Sequence, residues 1–161
     1  MKIKGKVWKF GDDVDTDLII PAKYLVTTDA KELGSHCLEN IKQGFPERVN
    51  KGDIIVAGKN FGSGSSREHA PLAIKGAGVS AVLAESFARI FSRNAINIGL
   101  PIIEIEEMNK FKDYDLIEID FINGRVRNLS QDKEYKFQKY PEFLQNIIRA
   151  GGLMKWAQRM V

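Results

Sequence analysis

Two hydroxyls, a guanidinium and an imidazole stand close together directly after a glycine-rich turn. The run reads Gly62-Ser63-Gly64-Ser65-Ser66-Arg67-Glu68-His69. Glycine allows positive φ and a close approach of the backbone to a ligand. Serine hydroxyls and an arginine supply directed hydrogen-bond donors for a carboxylate. The residue types and their spacing therefore predict an acid-binding site with one hydroxyl placed for chemistry.

Other glycine-rich motifs do not explain this run. It lacks the Gly-Lys-Ser/Thr of a P-loop and the Gly-x-Ser-x-Gly elbow of hydrolases. Arg67 stands where the dinucleotide fingerprint needs its third glycine. A capping box from Ser65 to Glu68 is an equal alternative on local spacing alone, but a cap needs neither a second serine nor an arginine. His69 is interpreted as a hydrogen-bonded structural histidine rather than a base.

A second polar run lies earlier in the chain and is rich in aspartate. Asp13, Asp15 and Asp17 alternate like the start of a calcium loop. Leu18 replaces the turn glycine of such a loop and Tyr24 its closing glutamate, which excludes calcium. Taken by itself, the run is best interpreted as a solvated acidic loop.

The hydrophobic pattern places both runs at the ends of predicted strands. Apolar segments predict strands at 3–10, 54–57, 79–84 and 100–105, and helices at 68–77 and from the cap Ser86 to 98. Asp29 is expected to cap a further helix through about residue 39. This alternation predicts a parallel sheet with crossover helices.

The C-terminal third predicts antiparallel structure. Asn123-Gly124 indicates a two-residue hairpin turn between strands 116–122 and 125–129. A strand at 135–140 and two helices, 141–150 and 153–160, complete the chain. We expect one domain, residues 1–161, of the α/β class: a mixed sheet with crossover helices and an antiparallel β portion.

Composition excludes several classes of function. The 161 residues carry a net charge of +3 with interspersed signs, which does not indicate nucleic-acid binding. No apolar run reaches a membrane span and no signal peptide is evident, so a cytoplasmic protein is expected. One cysteine and two histidines allow no disulfide, no iron–sulfur cluster and no metal site built within this chain.

Together the two polar runs resemble the small subunits of 3-isopropylmalate dehydratases, in the aconitase superfamily. The resemblance covers essentially the whole chain and is carried by residues 15–21, 60–70 and 88–101. Its most specific part is Gly64-Ser65-Ser66-Arg67-Glu68-His69. The resemblance implies the swivelling β/β/α domain of aconitases. It also implies a separate large subunit that carries a [4Fe–4S] cluster.

The resemblance also implies roles for individual residues. Ser65 matches the catalytic base, and Asp17 matches the aspartate beside it. Ser66 and Arg67 match the residues that hold a substrate carboxylate. Gly64, without a side chain, lets the backbone come close to that carboxylate. The implied substrates are small 2-hydroxy dicarboxylic acids, and the reaction is the interconversion of 2- and 3-isopropylmalate in leucine biosynthesis.

The loop from Tyr24 to Thr27 is a candidate specificity element. Relatives that process acids with an extra carboxylate have an arginine there, whereas Val26 suits an isopropyl group; the alternative is that Val26 packs within the subunit. A homoaconitase or broad-specificity hydro-lyase is the alternative enzyme. A stand-alone anion-binding regulatory module is the alternative of another class. Self-association of the isolated chain stays open.

Overall fold

The computed structural model describes residues 1–64 and 68–160, and one mixed sheet organises them. Its strands are β1 (Lys2–Lys9), β2 (Ile54–Ala57), β3 (Ala81–Ala84), β4 (Ile102–Glu104), β5 (Leu116–Asp120), β6 (Arg125–Asn128) and β7 (Lys133–Lys136). The helices are α1 (Thr16–Ile19), α2 (Ala30–Gly34), α3 (Phe45–Arg48), α4 (His69–Gly76), α5 (Arg89–Asn97), α6 (Glu142–Ala150) and α7 (Leu153–Arg159). None of the helices in the described ranges is long and apolar enough to cross a membrane.

The sheet has a parallel half and an antiparallel half that share β1. Strands follow the order β4-β3-β2-β1-β5-β6-β7. The pairs β1–β2, β2–β3 and β3–β4 are parallel, and the pairs β1–β5, β5–β6 and β6–β7 are antiparallel. Helices α4 and α5 make the crossovers from β2 to β3 and from β3 to β4. The predicted fold class, with its crossover helices and antiparallel portion, is therefore confirmed.

Side-chain alternation along the strands divides the interior into two cores. All residues of β2 and β3 are buried, as expected for parallel strands covered on both faces. Ile55 and Val82 point to a core shared with helices α1, α2, α4 and α5. Ile54 and Leu83 point to a second core, which the antiparallel strands complete. Because both faces are covered, the carboxyl ends of β1, β2 and β3 are where polar loops can gather.

The helix expected from Asp29 to residue 39 is shorter than predicted. Asp29 does cap it, accepting a hydrogen bond from the Lys31 amide at 3.0 Å, but α2 ends at Gly34. The chain then turns so that Leu38, at a φ of +55°, donates its amide to the Ile19 carbonyl at 2.8 Å. Tertiary pairing with α1 therefore ends a helix that the local pattern would continue.

The C-terminal hairpin forms with a longer turn than predicted. Residues 121–124 connect β5 to β6, where the sequence indicated a two-residue Asn123-Gly124 turn. Asp120 Oδ1 accepts both the Ile122 and the Asn123 amides at 3.1 Å, which stabilises a four-residue turn. The next strand was expected at 135–140 and is found at Lys133–Lys136. The following residues leave the sheet, and the Tyr140 hydroxyl donates to the Ile102 carbonyl of β4.

Candidate functional site

Backbone hydrogen bonds tie the acidic loop to the glycine loop at the carboxyl edge of the parallel strands. The Asp13 amide donates to the Lys59 carbonyl, and the Gly62 amide donates to the Val14 carbonyl, both at 2.8 Å. Asp12 adds a side-chain contact, its Oδ1 accepting the Lys59 amide at 2.7 Å. The two polar runs that the sequence separates by some 45 positions therefore form one structural unit.

The loop after β3 joins the same unit through Ser86. The sequence predicted this serine as the cap of α5, which is wrong: α5 begins at Arg89, and its cap residue Ala88 offers no side-chain oxygen. The Ser86 Oγ instead accepts the Asn60 amide at 2.8 Å, and the Ser86 carbonyl accepts the Phe61 amide at 3.0 Å. A local cap signal is thus used for a contact between loops.

Gly62 fixes the course of the glycine loop. Its φ of +84° lies in the left-handed region that disfavours other residues. A Cβ atom at this position would also overlap the Phe91 side chain of α5, which is buried. The glycine therefore serves both the turn and the close packing of α5 beneath it.

Gly64 brings the chain against the start of α1. The Thr16 amide and its Oγ1 both donate to the Ser63 carbonyl, at 2.7 and 3.0 Å. A side chain begun at the exposed Gly64 would lie 3.9 Å from the Asp15 Cβ. Asp15 itself caps α1 by accepting the Leu18 amide at 2.9 Å. Asp17, the next residue after Thr16 and in the first turn of α1, is exposed.

The predicted catalytic and carboxylate-binding residues Ser65, Ser66 and Arg67 lie outside the described residues. The described chain brackets them between Gly64 and Glu68. Helix α4 begins at His69 with Glu68 as its cap residue, and the Glu68 side chain makes no capping hydrogen bond. The capping-box alternative depends on Ser65, so it too lies outside the described residues.

His69 departs from the prediction of a hydrogen-bonded structural residue. Its Nδ1 atom is buried, yet it has no hydrogen-bond partner in the part of the chain that the structure describes. Buried polar atoms without partners are uncommon and costly in proteins. No signal in the sequence distinguishes this histidine from an ordinary core residue.

Val26 lies in the loop between a short 3₁₀ helix, Ala22–Tyr24, and α2. Its side chain is 91% exposed, so the alternative that it packs within its own subunit is wrong. The neighbouring Tyr24 ring stacks on His36, with ring centroids 3.7 Å apart and planes 6° from parallel. Sequence reasoning did not identify this partner of the loop, because 12 positions separate the two rings.

Three further features of the described residues concern ligand and metal binding. A cleft of about 330 Å³ opens between α5, β4 and residues 137–141, but Asp17, Gly64 and Val26 are not in its lining. No three His, Cys, Asp or Glu side chains of residues 1–64 and 68–160 are grouped to hold a metal ion. Burial raises the pKa of the Cys37 thiol, which disfavours the thiolate that a metal requires.

Comparison with known proteins agrees with this architecture. The family model of the aconitase C-terminal domain matches residues 22–108. The chain is 58% identical to the 3-isopropylmalate dehydratase small subunit of Nautilia profundicola, over 99% of this chain and 96% of that protein. It is 60% identical to the small subunit of the same name from Hydrogenobaculum sp., over 98% and 97% of the two chains.

Solved structures confirm the fold. The crystal structure of a 3-isopropylmalate dehydratase from Methanocaldococcus jannaschii superposes with a TM-score of 0.94 at 49% identity, over 99% of this chain and 95% of that one. Aconitase X from Thermococcus kodakaraensis shares the fold alone, with a TM-score of 0.52 at 15% identity. This chain therefore belongs to the family of 3-isopropylmalate dehydratase small subunits, hydro-lyases of the aconitase superfamily.

Proposed function

We propose that this chain is the small subunit of a heteromeric isopropylmalate isomerase and supplies its proton-transfer and carboxylate-binding groups. The observation that carries the proposal is the junction of the acidic and glycine loops. There Gly64 lies against Asp15 and Thr16, and the Ser65-Ser66-Arg67 run follows immediately in the chain. Membership of the dehydratase small-subunit family supports the same assignment.

The assigned reaction removes water from one hydroxy diacid and adds it back at the neighbouring carbon. Ser65, as its alkoxide, takes the C–H proton next to a carboxylate, the electron pair of that bond forms the C=C bond of 2-isopropylmaleate, and the C–O bond to the hydroxyl breaks. The proton taken by Ser65 and the departing hydroxide together account for the water released. A cluster on the large subunit would supply the Lewis acid that assists departure of the hydroxide. A serine hydroxyl serves as a base only where nearby donors stabilise its alkoxide. Arg67 and the amino end of α4 supply positive charge for this purpose, the helix end contributing about 0.3–1 kcal/mol.

Ser66 and Arg67 are assigned to the substrate carboxylate. Charge-assisted hydrogen bonds of this kind contribute roughly 1.5–3 kcal/mol each, and the exposed Gly64 leaves room for the substrate to approach the backbone. Asp17, exposed at the start of α1, is assigned a place beside Ser65. Val26 offers an exposed apolar surface to the isopropyl group.

The [4Fe–4S] cluster expected for this superfamily does not fit the residues of this chain. A cluster needs several thiolates, whereas the sequence has one cysteine, which is buried. We therefore assign the cluster to a large-subunit partner, and we propose the cytoplasm as the compartment in which the two assemble. In this proposal the acidic loop, the glycine loop and the loop that carries Val26 face that partner with their exposed residues Asp17, Gly64 and Val26.

Reconstitution with a cluster-bearing large subunit tests the proposal. The complex should convert 3-isopropylmalate in preference to homocitrate and citrate, while this chain alone should be inactive. Val26→Arg should shift the preference towards the acids with a third carboxylate, because arginine pairs with that group and opposes an alkyl chain. The matched control is Ile122→Arg, which changes another exposed apolar residue, in the turn between β5 and β6.

Each outcome separates the alternatives. Preference for homocitrate by the wild-type complex would identify a homoaconitase instead. Failure of the chain to associate with any cluster-bearing large subunit, together with binding of dicarboxylates by the chain alone, would support a regulatory module.

A further inference from the structure

The Val26 loop, residues 25–29, is anchored at both of its ends. At its amino end, Tyr24 and Leu25 pack against the helix-covered core, and the Leu25 amide donates to the Ala22 carbonyl at 3.1 Å. At its carboxyl end, Thr27 Oγ1 accepts the Asp29 amide at 3.1 Å. Val26 lies between these anchors with its side chain in solvent.

A three-residue clamp made of Tyr24, His36 and Glu39 holds the amino end of the loop. The Tyr24 hydroxyl donates to Glu39 Oε1 at 2.8 Å, and His36 Nδ1 lies 3.1 Å from Glu39 Oε2. Both oxygens of one carboxylate are thereby used, while the two rings stack on each other at 3.7 Å. Each of the three side chains therefore contacts the other two.

The charge distribution favours the ionised form of the clamp. Burial opposes ionisation of Glu39, but the hydrogen bonds from Tyr24 and His36, together with nearby positive charge, hold the pKa of its carboxyl below the ordinary value. The Lys23 ammonium lies 5.1 Å from the centroid of the Tyr24 ring. The side chains of His36 and Glu39 are 34% and 27% exposed, so the clamp is partly solvated rather than part of the core.

We propose that the Tyr24–His36–Glu39 clamp is a positioning device that holds Val26 in place for the alkyl group of the substrate. The inference rests on the proposed function, in which Val26 meets the isopropyl group. Ordering a loop on binding costs free energy, so an exposed valine contributes to affinity only if its loop is ordered before the substrate binds. None of the three clamp residues needs to touch the substrate.

Tyr24→Phe tests the inference, because it removes the hydroxyl and keeps the ring stack and the packing. In the reconstituted complex we expect KM for 3-isopropylmalate to rise about three- to tenfold, the loss of one hydrogen bond to a charged group at a partly solvated site. The kcat should be unchanged. The inhibition constant of malate, the same hydroxy diacid without the isopropyl group, should also be unchanged. Glu39→Gln should act in the same direction.

Matched controls come from the same chain. Tyr114→Phe also removes one tyrosine hydroxyl bond, to Arg48, far along the sequence from the loop. Glu32→Gln neutralises an exposed glutamate on α2. Both variants should keep the KM of the wild-type complex.

Hydrogen exchange of the Leu25 amide in the isolated chain gives a readout independent of activity. Tyr24→Phe should accelerate this exchange and Tyr114→Phe should leave it as in the wild type. If the wild-type complex is active and Tyr24→Phe changes neither KM nor the exchange of Leu25, the clamp does not position the loop. A loss of malate affinity equal to that of isopropylmalate would also overturn the inference. An inactive wild-type complex would instead overturn the proposed function. The exchange rate of the Leu25 amide alone would then show whether the clamp positions the loop.

Discussion

The carboxyl edge of the parallel half and the start of β5 in the antiparallel half place their aspartates in opposite environments. At the carboxyl edge of the parallel half, Asp12, Asp13 and Asp17 are exposed, and their loops are held mainly by backbone bonds. In the antiparallel half, Asp115 is 8% exposed, and its Oδ2 accepts the Asn128 and Gln131 side-chain amides at 2.8 and 2.7 Å. Asp17 leaves its charge in solvent, where a ligand can reach it, and Asp115 uses its charge to hold the fold together.

The difference shows how to separate a functional carboxylate from a structural one. Buried polar groups must find partners within the protein, because their desolvation is otherwise uncompensated. Asp115 meets this requirement, whereas Asp17 has no such need in solvent. Four measurements test this contrast between the two aspartates.

The largest expected effect is at Ser65. Ser65→Ala should reduce the kcat of the reconstituted complex by about 10²–10⁴-fold, the range for loss of a general acid–base group. Ser130→Ala is the control from the antiparallel half, where the exposed Ser130 Oγ accepts the Leu116 amide at 2.8 Å. It should keep wild-type turnover. Unchanged turnover in Ser65→Ala would show that this serine is not the base.

Asp115→Ala should destabilise the chain without affecting the chemistry. It leaves the amides of Asn128, Gln131 and Lys112 without their common acceptor, and Asn128 is only 1% exposed. We expect a loss of about 2–4 kcal/mol in the free energy of unfolding, measured by urea denaturation. Complex that has folded should retain its kcat, and a loss of kcat at full occupancy would contradict the structural role.

Asp17→Ala should give the opposite result. The kcat of the complex should fall by about 10–100-fold, while the free energy of unfolding changes by no more than about 0.5 kcal/mol, as at exposed positions. The same substitution is thus expected to lower activity but not stability at Asp17, and to lower stability but not activity at Asp115. If Asp17→Ala destabilises the chain as much as Asp115→Ala does, the contrast between the two regions is lost.

The smallest effect is the acid dependence of stability. Burial opposes ionisation of Asp115, but hydrogen bonds from Asn128, the Lys112 amide and Gln131 hold its pKa below the ordinary value. A lowered folded-state pKa stabilises the chain above the unfolded pKa, near about 3.9, and this contribution disappears as the pH falls through the folded value. The gap in unfolding free energy between wild type and Asp115→Asn should therefore narrow below about pH 4. A gap that stays constant down to the acid transition would show that Asp115 ionisation does not contribute.

Much of the fold could be predicted because it depends on local patterns. The apolar runs of β2 and β3 and the capping aspartate of α2 are where the sequence placed them. The errors arose where a distant contact prevails. Ser86 accepts the Asn60 amide instead of capping α5. Leu38 donates its amide to the Ile19 carbonyl instead of continuing α2. The geometry of the four-residue turn at 121–124 depends on the Asp120 side chain, which lies outside the Asn123-Gly124 pair used for the prediction.

The family resemblance, the mixed α/β class and the motif from Gly64 to His69 can be predicted from the residues alone, because they depend on residue identity and short-range periodicity. The folded chain was needed to show that the acidic run and the glycine run are one unit, that Val26 is exposed, and that Tyr24 bonds to Glu39. Parallel strands bring their carboxyl ends to one edge of the sheet however far apart the strands lie in the chain. Which loops then bond to one another depends on backbone groups that every residue type shares.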